Sequence, residues 1–125
     1  GINAQLSALI ESETSKAYNS DLLKTLIPET VKAWAEKDET NDLAVLLNEK
    51  SLKELESGLK ASLKSEISKG LEIKADNSIS QGFRIGTKDG AAYYDFSAES
   101  VAELFASYLN PKIAQIMKDA VSKGL

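Results

Sequence analysis

Residues 82–90 read GFRIGTKDG, with a glycine at every fourth position. Three structures fit such a spacing: a phosphate-binding loop, a close-packed helix face, or a hairpin. Nucleotide fingerprints need G-x-G-x-x-G or G-x-x-x-x-G-K-[ST] between a strand and a helix, and neither spacing occurs here. A membrane G-x-x-x-G face needs an apolar stretch of about 20 residues, whereas Arg84, Lys88 and Asp89 interrupt this one. The stretch therefore predicts a hairpin.

The residues around this turn have the alternation of two paired strands. Phe83 and Ile85 alternate with Arg84, residues 87–90 supply turn chemistry, and AAYYDF at 91–96 resumes an extended pattern. The glycines then mark a strand start, a strand end and the turn. Tyr94 and Phe96 fall in phase on one side of the second strand.

Two further strands are predicted upstream of the hairpin. The apolar run LAVLL at 43–47 is short and bounded by turn residues, which predicts a central strand buried on both faces. The segment LEIKAD at 71–76 alternates apolar and charged residues, which predicts a strand with one solvent-exposed face. The sheet is thus expected to have about four strands.

The clearest helix pattern begins at Ser51. Ser51 and Glu54 have the spacing of a capping box, and Gly70 provides a stop. Gly58 inside this helix suggests a close backbone contact on its face. The apolar stripe consists of Leu52, Leu55, Leu59, Leu63 and Ile67.

Proline marks two other helical segments. In SDLLKTLIPETVKAWAEK at 20–37, Pro28 predicts a kinked helix or two joined helices, because it lacks an N–H. At the C-terminal end, Ser97 is expected to cap one helix, and Asn110 to cap a second helix that begins at Pro111. Each of these is expected to bury one face: Val101, Leu104, Phe105, Tyr108 and Leu109 in the first, and Ile113, Ile116, Met117, Ala120 and Val121 in the second.

The first 20 residues predict an N-terminal helix with a narrow apolar stripe. Leu6, Leu9 and Ile10 are near helical spacing, so they face either a partner helix or the domain core. This helix is either the end of a longer helix or a terminal helix lying on the core. The fold class is therefore α+β: a sheet of about four strands, mixed or antiparallel, covered by amphipathic helices. Residues 21–125 form its globular domain.

Composition excludes several chemistries. The chain has 125 residues with no cysteine or histidine, which removes thiolate nucleophiles, imidazole bases and the usual zinc sites. A net charge of −4 and a single arginine, Arg84, argue against binding to nucleic acid or anionic lipid. No apolar run suits a spanning helix or signal peptide. We expect no cofactor, no metal and no direct membrane insertion, and a cytoplasmic location.

Few residues suggest a site. The loop from Asp76 to Ser80 superficially resembles a calcium loop, but Gln81 and Thr87 stand where an EF-hand needs Gly and Glu, so a plain turn is predicted. Asp38, Glu39 and Asp42 form an acidic cluster expected to be solvated. Candidate contact aromatics are Trp34, Tyr93, Tyr94 and Phe96, for which packing is the simpler interpretation.

Taken in order, three pieces resemble a known family: G-F-R-I-G-x-K-D-G at 82–90, Y-Y-D-F at 93–96 and Y-L-N-P at 108–111. From about Leu22 onward the chain resembles the C-terminal domain of the E subunit of bacterial and archaeal V-type (A-type) ATP synthases. The resemblance implies a non-catalytic peripheral-stalk subunit. Its implied partners are a helical second stalk subunit of the G/H type and the N-terminal barrel of the B subunit of the catalytic head.

Other functions remain open at this level. A regulator of a flagellar or type III export ATPase has a related architecture and also docks on an ATPase head. A small acid/base enzyme would use Asp89 or Asp95, which flank the hairpin. Single-strand nucleic-acid binding would show salt-dependent affinity, which the acidic balance disfavours.

Overall fold

A computed structural model describes residues 2–36 and 42–122, and the side chains from Ala4 onward within them. Its elements, in chain order, are α1 (Ile2–Ala17), α2 (Ser20–Ala35), β1 (Leu43–Leu47), α3 (Glu49–Ser62), α4 (Lys64–Ser68), β2 (Glu72–Ala75), β3 (Gly82–Thr87), β4 (Tyr93–Ser97) and α5 (Ala98–Ser122). The predicted α+β class is confirmed. Asp38 and Glu39 of the expected acidic cluster lie outside the described residues.

The four strands form one mixed sheet in the order β2-β1-β3-β4. β1 is parallel to β2 and antiparallel to β3, which is antiparallel to β4. The parallel pair needs a long crossover, which α3 and α4 provide. β1 is central, as predicted: it lies between β2 and β3.

The two faces of β1 differ more than its apolar sequence suggests. Leu43, Val45 and Leu47 belong to the main core, while Leu46 lies on the other face, where it is half-buried opposite Arg84. The expectation of burial on both faces thus holds for β1 except at Leu46. Helices α2 and α3 supply the rest of this core through Leu23, Ile27, Val31, Leu55 and Leu59.

Helix α3 begins earlier than its capping pattern predicts. The side chain of Asn48 accepts a hydrogen bond from the Ser51 amide at 2.7 Å, so Asn48 is the cap and Ser51 lies buried inside the helix. The predicted leucine stripe is buried at Leu55 and Leu59, but the helix is interrupted at Leu63 and resumes as α4. The predicted close contact at Gly58 is wrong, because a Cβ there would meet nothing within 4 Å.

The two prolines do not divide their helices. α2 runs unbroken through a buried Pro28, since burial of Ile27 and Val31 on either side offsets the missing hydrogen bond. α5 is likewise a single helix of 25 residues with Pro111 inside it, so the predicted break at Asn110 is wrong. Pro111 is exposed, and water can reach the carbonyl group that its missing N–H leaves free.

The predicted hairpin is confirmed as β3 and β4. Phe83 pairs with Phe96 and Ile85 with Tyr94, and the two phenylalanine rings stack at 5.2 Å. Gly82 and Gly90 have φ values of 92° and 77°, the left-handed region that glycine enters without strain. The strand-to-helix junction follows directly, where the hydroxyl of Ser97 accepts from the Ser100 amide at 3.3 Å.

Helix α1 packs against α5 rather than against the sheet. Ser7 and Glu11 of α1 share a groove with Ala102 and Ala106 of α5. Tyr18, just after α1, lies beside Gly82 and Ser97, next to the start of α5. The two helices therefore run antiparallel, and small alanine side chains on α5 allow the close approach.

Candidate interaction surface

Of the five apolar residues predicted to be buried on the first C-terminal helix, three are exposed, while Val101 and Leu109 are half-buried. Leu104, Phe105 and Tyr108 keep 72%, 52% and 62% of their surface in contact with solvent. The buried residues of α5 are Ala98, Ala102 and Ala106, on the side that faces α1. Sequence spacing identifies the large apolar stripe correctly, but the stripe that packs within this chain is the small-residue one.

The same finding holds toward the end of α5. Ile116, Met117 and Val121 are 66%, 45% and 76% exposed. The expected burial of this second stripe is therefore wrong for these three residues, whereas Ile113 and Ala120 are half-buried. α5 thus presents an unusual amount of large apolar surface for one helix of a small domain.

Helix α1 contains the three residues expected at a partner interface. Leu6 and Ile10 are half-buried, while Leu9 is 57% exposed. Ser7, Ile10 and Thr14 recur at steps of three and four, so they follow one stripe on α1, and Ser7 borders the groove with α5. Leu6 and Leu9 lie to one side of that stripe, and Glu11 lies to the other.

The two sides of α5 have opposite character. On one side, Glu11, Glu99 and Glu103 line the groove with Ser7, and its cavity measures about 280 Å³. On the other side, a cavity of about 360 Å³ is lined by apolar side chains alone: Val101, Leu104, Phe105 and Tyr108. The side lined by apolar side chains suits a protein contact, whereas the acidic side suits solvent.

A second concave surface lies at the hairpin. Trp34 and Tyr94 meet edge to face with ring centroids 4.4 Å apart, and with Tyr93, Leu43 and Gly86 they border a cleft of about 440 Å³. Trp34 is half-buried, while Tyr93 and Tyr94 are 55% and 61% exposed. These aromatics are part packing and part surface, between the two interpretations that the sequence leaves open.

Arg84 organises the polar face of the sheet. Its guanidinium lies 3.5 Å from the Asp95 carboxylate and 3.8 Å from that of Asp76, and it stacks over the Tyr93 ring at 5.2 Å. The single arginine is thus engaged with carboxylates of its own chain. This arrangement holds β3, β4 and the loop after β2 together and leaves little of its charge for a phosphate.

The two candidate acid/base residues are held as carboxylates. Asp89 accepts hydrogen bonds from the Thr87 hydroxyl at 2.6 Å and the Ala91 amide at 2.9 Å, which lower its pKa. Partial burial alone raises the pKa of Asp95, but hydrogen bonds from Ser97 and Ser100 and the charge of Arg84 outweigh it and lower the pKa. General acid/base work near neutrality needs a pKa shifted upward, so this geometry disfavours both residues for that role.

The loop that resembles a calcium site is a plain turn, as predicted. One carboxylate oxygen of Asp76 accepts from the Ser78 hydroxyl at 2.6 Å and from the Ser78 amide at 3.0 Å. These bonds lower the pKa of Asp76, with a further contribution from Arg84. Within residues 2–36 and 42–122, none of the helices combines the length and the hydropathy that crossing a bilayer requires.

No family model matches the chain. Individual relatives do, and several of them are named as the E subunit of a V-type ATP synthase. The protein of that name from Treponema denticola is 58% identical over 123 residues, which is 98% of this chain and 60% of the relative. The protein from Treponema pallidum strain Nichols is 38% identical over 116 residues, covering 93% of this chain and 50% of the relative.

A protein from Borrelia duttonii, named as the E subunit of a V-type proton ATPase, is 32% identical over 117 residues, or 94% of this chain and 58% of its own length. The chain therefore spans about half to three-fifths of the length of these curated relatives. The similarity extends over α1, the sheet and α5 together, because it covers almost every residue of this chain. The chain belongs to the E-subunit family of V-type ATP synthases.

Proposed function

We propose that this chain is the head-binding part of a peripheral stalk, a stator that holds the catalytic head of a rotary ATPase against the torque of the rotor. It is a non-catalytic subunit. In this role it couples ATP synthesis or hydrolysis to the transport of protons or sodium ions. It acts on the cytoplasmic side of the membrane as a peripheral component. The names of its relatives support membership in a V-type ATPase complex, and its exposed apolar surface supports the stator role.

The observation that carries the proposal is the exposed apolar surface of the α1–α5 pair. A stator must adhere to neighbours at both of its ends, and adhesive protein surfaces have apolar centres with charged rims. Leu9, Leu104, Phe105 and Tyr108 are all more than half exposed. The polar alternative centred on Asp89 and Asp95 offers carboxylates with lowered pKa values.

Two partners follow from this proposal. The first is a helical second stalk subunit, which contacts α1 through the surface that includes Leu6, Leu9 and Ile10. The second is the N-terminal barrel of the B subunit of the catalytic head, which contacts the globular part at 21–125. In this arrangement α1 is the end of a longer stalk helix, in keeping with relatives that are longer than this chain.

A coupling assay tests the proposal. In membranes containing the assembled ATPase, a version of this stalk protein that carries Leu9→Ser and Phe105→Ser should leave ATP hydrolysis by the head largely intact. ATP-driven ion pumping should fall by several-fold, because rotation of the head dissipates torque. Equal loss of hydrolysis and pumping, or no loss of either, would contradict a stator role.

A further inference from the structure

The two edges of the sheet differ in the side chains that they present. The edge strand β2 carries Glu72 and Lys74, which pair at 2.8 Å, and charges of this kind discourage the addition of a further strand. The other edge strand, β4, presents Tyr93 and Tyr94, which are 55% and 61% exposed. Its one charged residue, Asp95, pairs with the arginine of the adjacent β3 at 3.5 Å. β4 is therefore the edge that suits strand addition.

The hydrogen-bond alternation of the hairpin shows which backbone groups of β4 point away from β3. The Thr87 amide donates to the Ala92 carbonyl at 2.9 Å, so these two residues form a hydrogen-bonded pair. In antiparallel strands such pairs alternate with pairs that are not hydrogen-bonded. With the observed register, the N–H and C=O groups of Tyr94 bond to β3, whereas those of Tyr93 and Asp95 face outward.

These four outward groups are available for pairing. Within residues 2–36 and 42–122, no hydrogen bond joins them to another part of the chain. The next outward amide, that of Ser97, instead donates to the Asp95 side chain at 2.9 Å. The available part of the edge is thus limited to the N–H and C=O groups of two residues, Tyr93 and Asp95.

The pattern of the four groups is self-complementary. A second copy of the chain, related by a two-fold axis at Tyr94, sets Tyr93 opposite Asp95 of the second copy and bonds all four groups on each side. A shift of this register by one residue would set outward groups against inward ones. A shift by two residues would set either two Asp95 carboxylates directly opposite each other, which is destabilising, or Asp95 against the turn residue Ala91.

The side chains on both faces fit the same register. Tyr94 meets Tyr94 of the second copy in a pair that is not hydrogen-bonded, where side chains come closest. Each Tyr94 ring already contacts Trp34 edge to face at 4.4 Å, so four aromatic rings gather at the junction. On the other face, Tyr93 lies opposite Asp95, whose charge is balanced by Arg84 of its own chain.

We propose that β4 is a self-association edge, through which two copies of this chain pair antiparallel and join their four-stranded sheets into one sheet of eight strands. The contact is small, so the dimer is weak: it forms at about 1 mM and dissociates at about 10 μM. This inference does not depend on the proposed stator function, which the coupling assay tests separately.

Sedimentation of the 125-residue chain between about 10 μM and about 1 mM tests the proposal. Tyr93→Pro removes one outward N–H and leaves the bonds to β3 in place, a substitution that edge strands tolerate. Tyr93→Thr is the matched control, because it removes the same ring and keeps the N–H. We expect Tyr93→Pro to raise the dissociation constant by about tenfold or more relative to Tyr93→Thr. A chain that is monomeric throughout this range, or two variants that dimerise equally, would overturn the proposal.

Amide exchange in the unaltered chain tests the same edge without any substitution. As concentration rises from about 10 μM to about 1 mM, the amides of Tyr93 and Asp95 should become protected, while that of Tyr94 is protected throughout because it bonds to β3. Protection of Tyr93 and Asp95 that does not change with concentration would overturn the proposal even if Tyr93→Pro failed to fold.

Cross-linking tests the register, because the chain has no cysteine of its own. Tyr94→Cys places its thiol directly opposite the same thiol of the second copy, whereas in Tyr93→Cys the two thiols are displaced along the strands, beyond disulfide reach. With oxidised glutathione, Tyr94→Cys should form covalent dimers about tenfold faster or more. Leu104→Cys reports the alternative, a dimer through the exposed surface of α5. Faster cross-linking at position 104 than at position 94 would overturn the proposal.

Discussion

Gly86 is where the hairpin leaves no room for a side chain. A Cβ at this position would lie 2.5 Å from the carbonyl oxygen of Ala92 and 2.6 Å from the Cβ of Tyr93. Both neighbours belong to the start of the paired strand or its turn, so neither can rotate away. The second glycine of the 82–90 stretch is thus required by strand packing, and Gly90 is required by backbone conformation. Gly82 is required by both, because a Cβ there would also lie 2.6 Å from the carbonyl oxygen of Phe96.

Gly86→Ala should destabilise the domain by about 1–3 kcal/mol, because β3 and β4 must separate to admit the methyl group. Gly58→Ala is the matched control: it adds the same methyl group at an exposed helical site with open space around it. The control should stabilise the domain by about 0.5–1 kcal/mol. Urea unfolding monitored by circular dichroism measures both, and equal midpoints for the two variants would contradict the packing argument.

Two loop carboxylates, Asp89 in the hairpin turn and Asp76 after β2, link stability to pH. Asp89 and Asp76 have lowered pKa values in the folded chain because hydrogen bonds favour their charged forms. A group of this kind stabilises the fold above its unfolded pKa of about 3.9 and ceases to do so as pH falls through the lower folded value. The free energy of unfolding should therefore decrease as pH falls below about 4.

Asp89→Asn should flatten part of this acid dependence. The asparagine side chain can still accept from Thr87 and Ala91 but carries no charge, so the variant should lose part of the stability that the Asp89 carboxylate provides near pH 7. Melting temperatures of the two proteins, measured in steps from about pH 7 to about pH 2.5, make the comparison. A decline below pH 4 that is equally steep in both proteins would show that Asp89 does not contribute.

At the scale of elements, the local sequence pattern is sufficient to predict a strand or helix whose apolar residues are covered by the same chain. β1, the hairpin and the leucine stripe of α3 are predictable because each buries its apolar residues within the domain. The start of α3 is not, because Ser51 and Asn48 both have cap chemistry, and only the structure shows which amide is reached. Pro111 has the sequence context of a helix start, yet an exposed proline can also lie within a continuous helix.

The burial of α5 could not be predicted from its spacing. Periodicity shows that Leu104, Phe105 and Tyr108 share one face, but it does not show whether the covering element belongs to the same polypeptide. The alanine stripe gives a weak signal because alanine has little apolar surface. The candidate site is accordingly predictable in part: Leu6, Leu9 and Ile10 are on α1 as expected, while the spacing of α5 assigns its contribution to the core.

This inversion predicts the effects of substitutions in α5. Ala102→Leu should destabilise the isolated chain by about 1–3 kcal/mol, because it adds bulk to the close contact with α1. Leu104→Ala removes a much larger side chain from a site that is 72% exposed, so it should cost less than about 0.5 kcal/mol. Alanine and leucine both favour helices, which removes propensity as an explanation. Chemical unfolding of both variants measures the two losses of stability. A larger loss for Leu104→Ala than for Ala102→Leu would mean that the large residues form the core.

At the scale of the whole molecule, two kinds of structure are joined in one chain. The sheet, α2 and α3 enclose the large buried side chains Phe83, Ile27, Leu59 and Ile85. The α1–α5 pair meets mainly through small residues and leaves its large apolar ones outside. This division suits the proposed stator role, because a rigid first part would keep its shape under load while the second part would provide surface for neighbouring subunits.

Removal of residues 1–16 tests this division and the proposed domain boundary near residue 20. Tyr18 and the whole of α2 remain, so the core keeps all of its large buried side chains. The amides of β1 and β3 should retain strong protection from hydrogen exchange, whereas those of α5 should exchange faster by about tenfold or more, because the surface at Ala102 and Ala106 loses its cover. Exchange measured by mass spectrometry on the shortened and full chains gives the comparison for every segment at once.

Ala102→Leu in the full chain is a useful reference, since it disturbs the same contact without removing residues. If β1 and β3 lose protection together with α5, then α1 is part of a single cooperative unit, and the boundary near residue 20 is wrong.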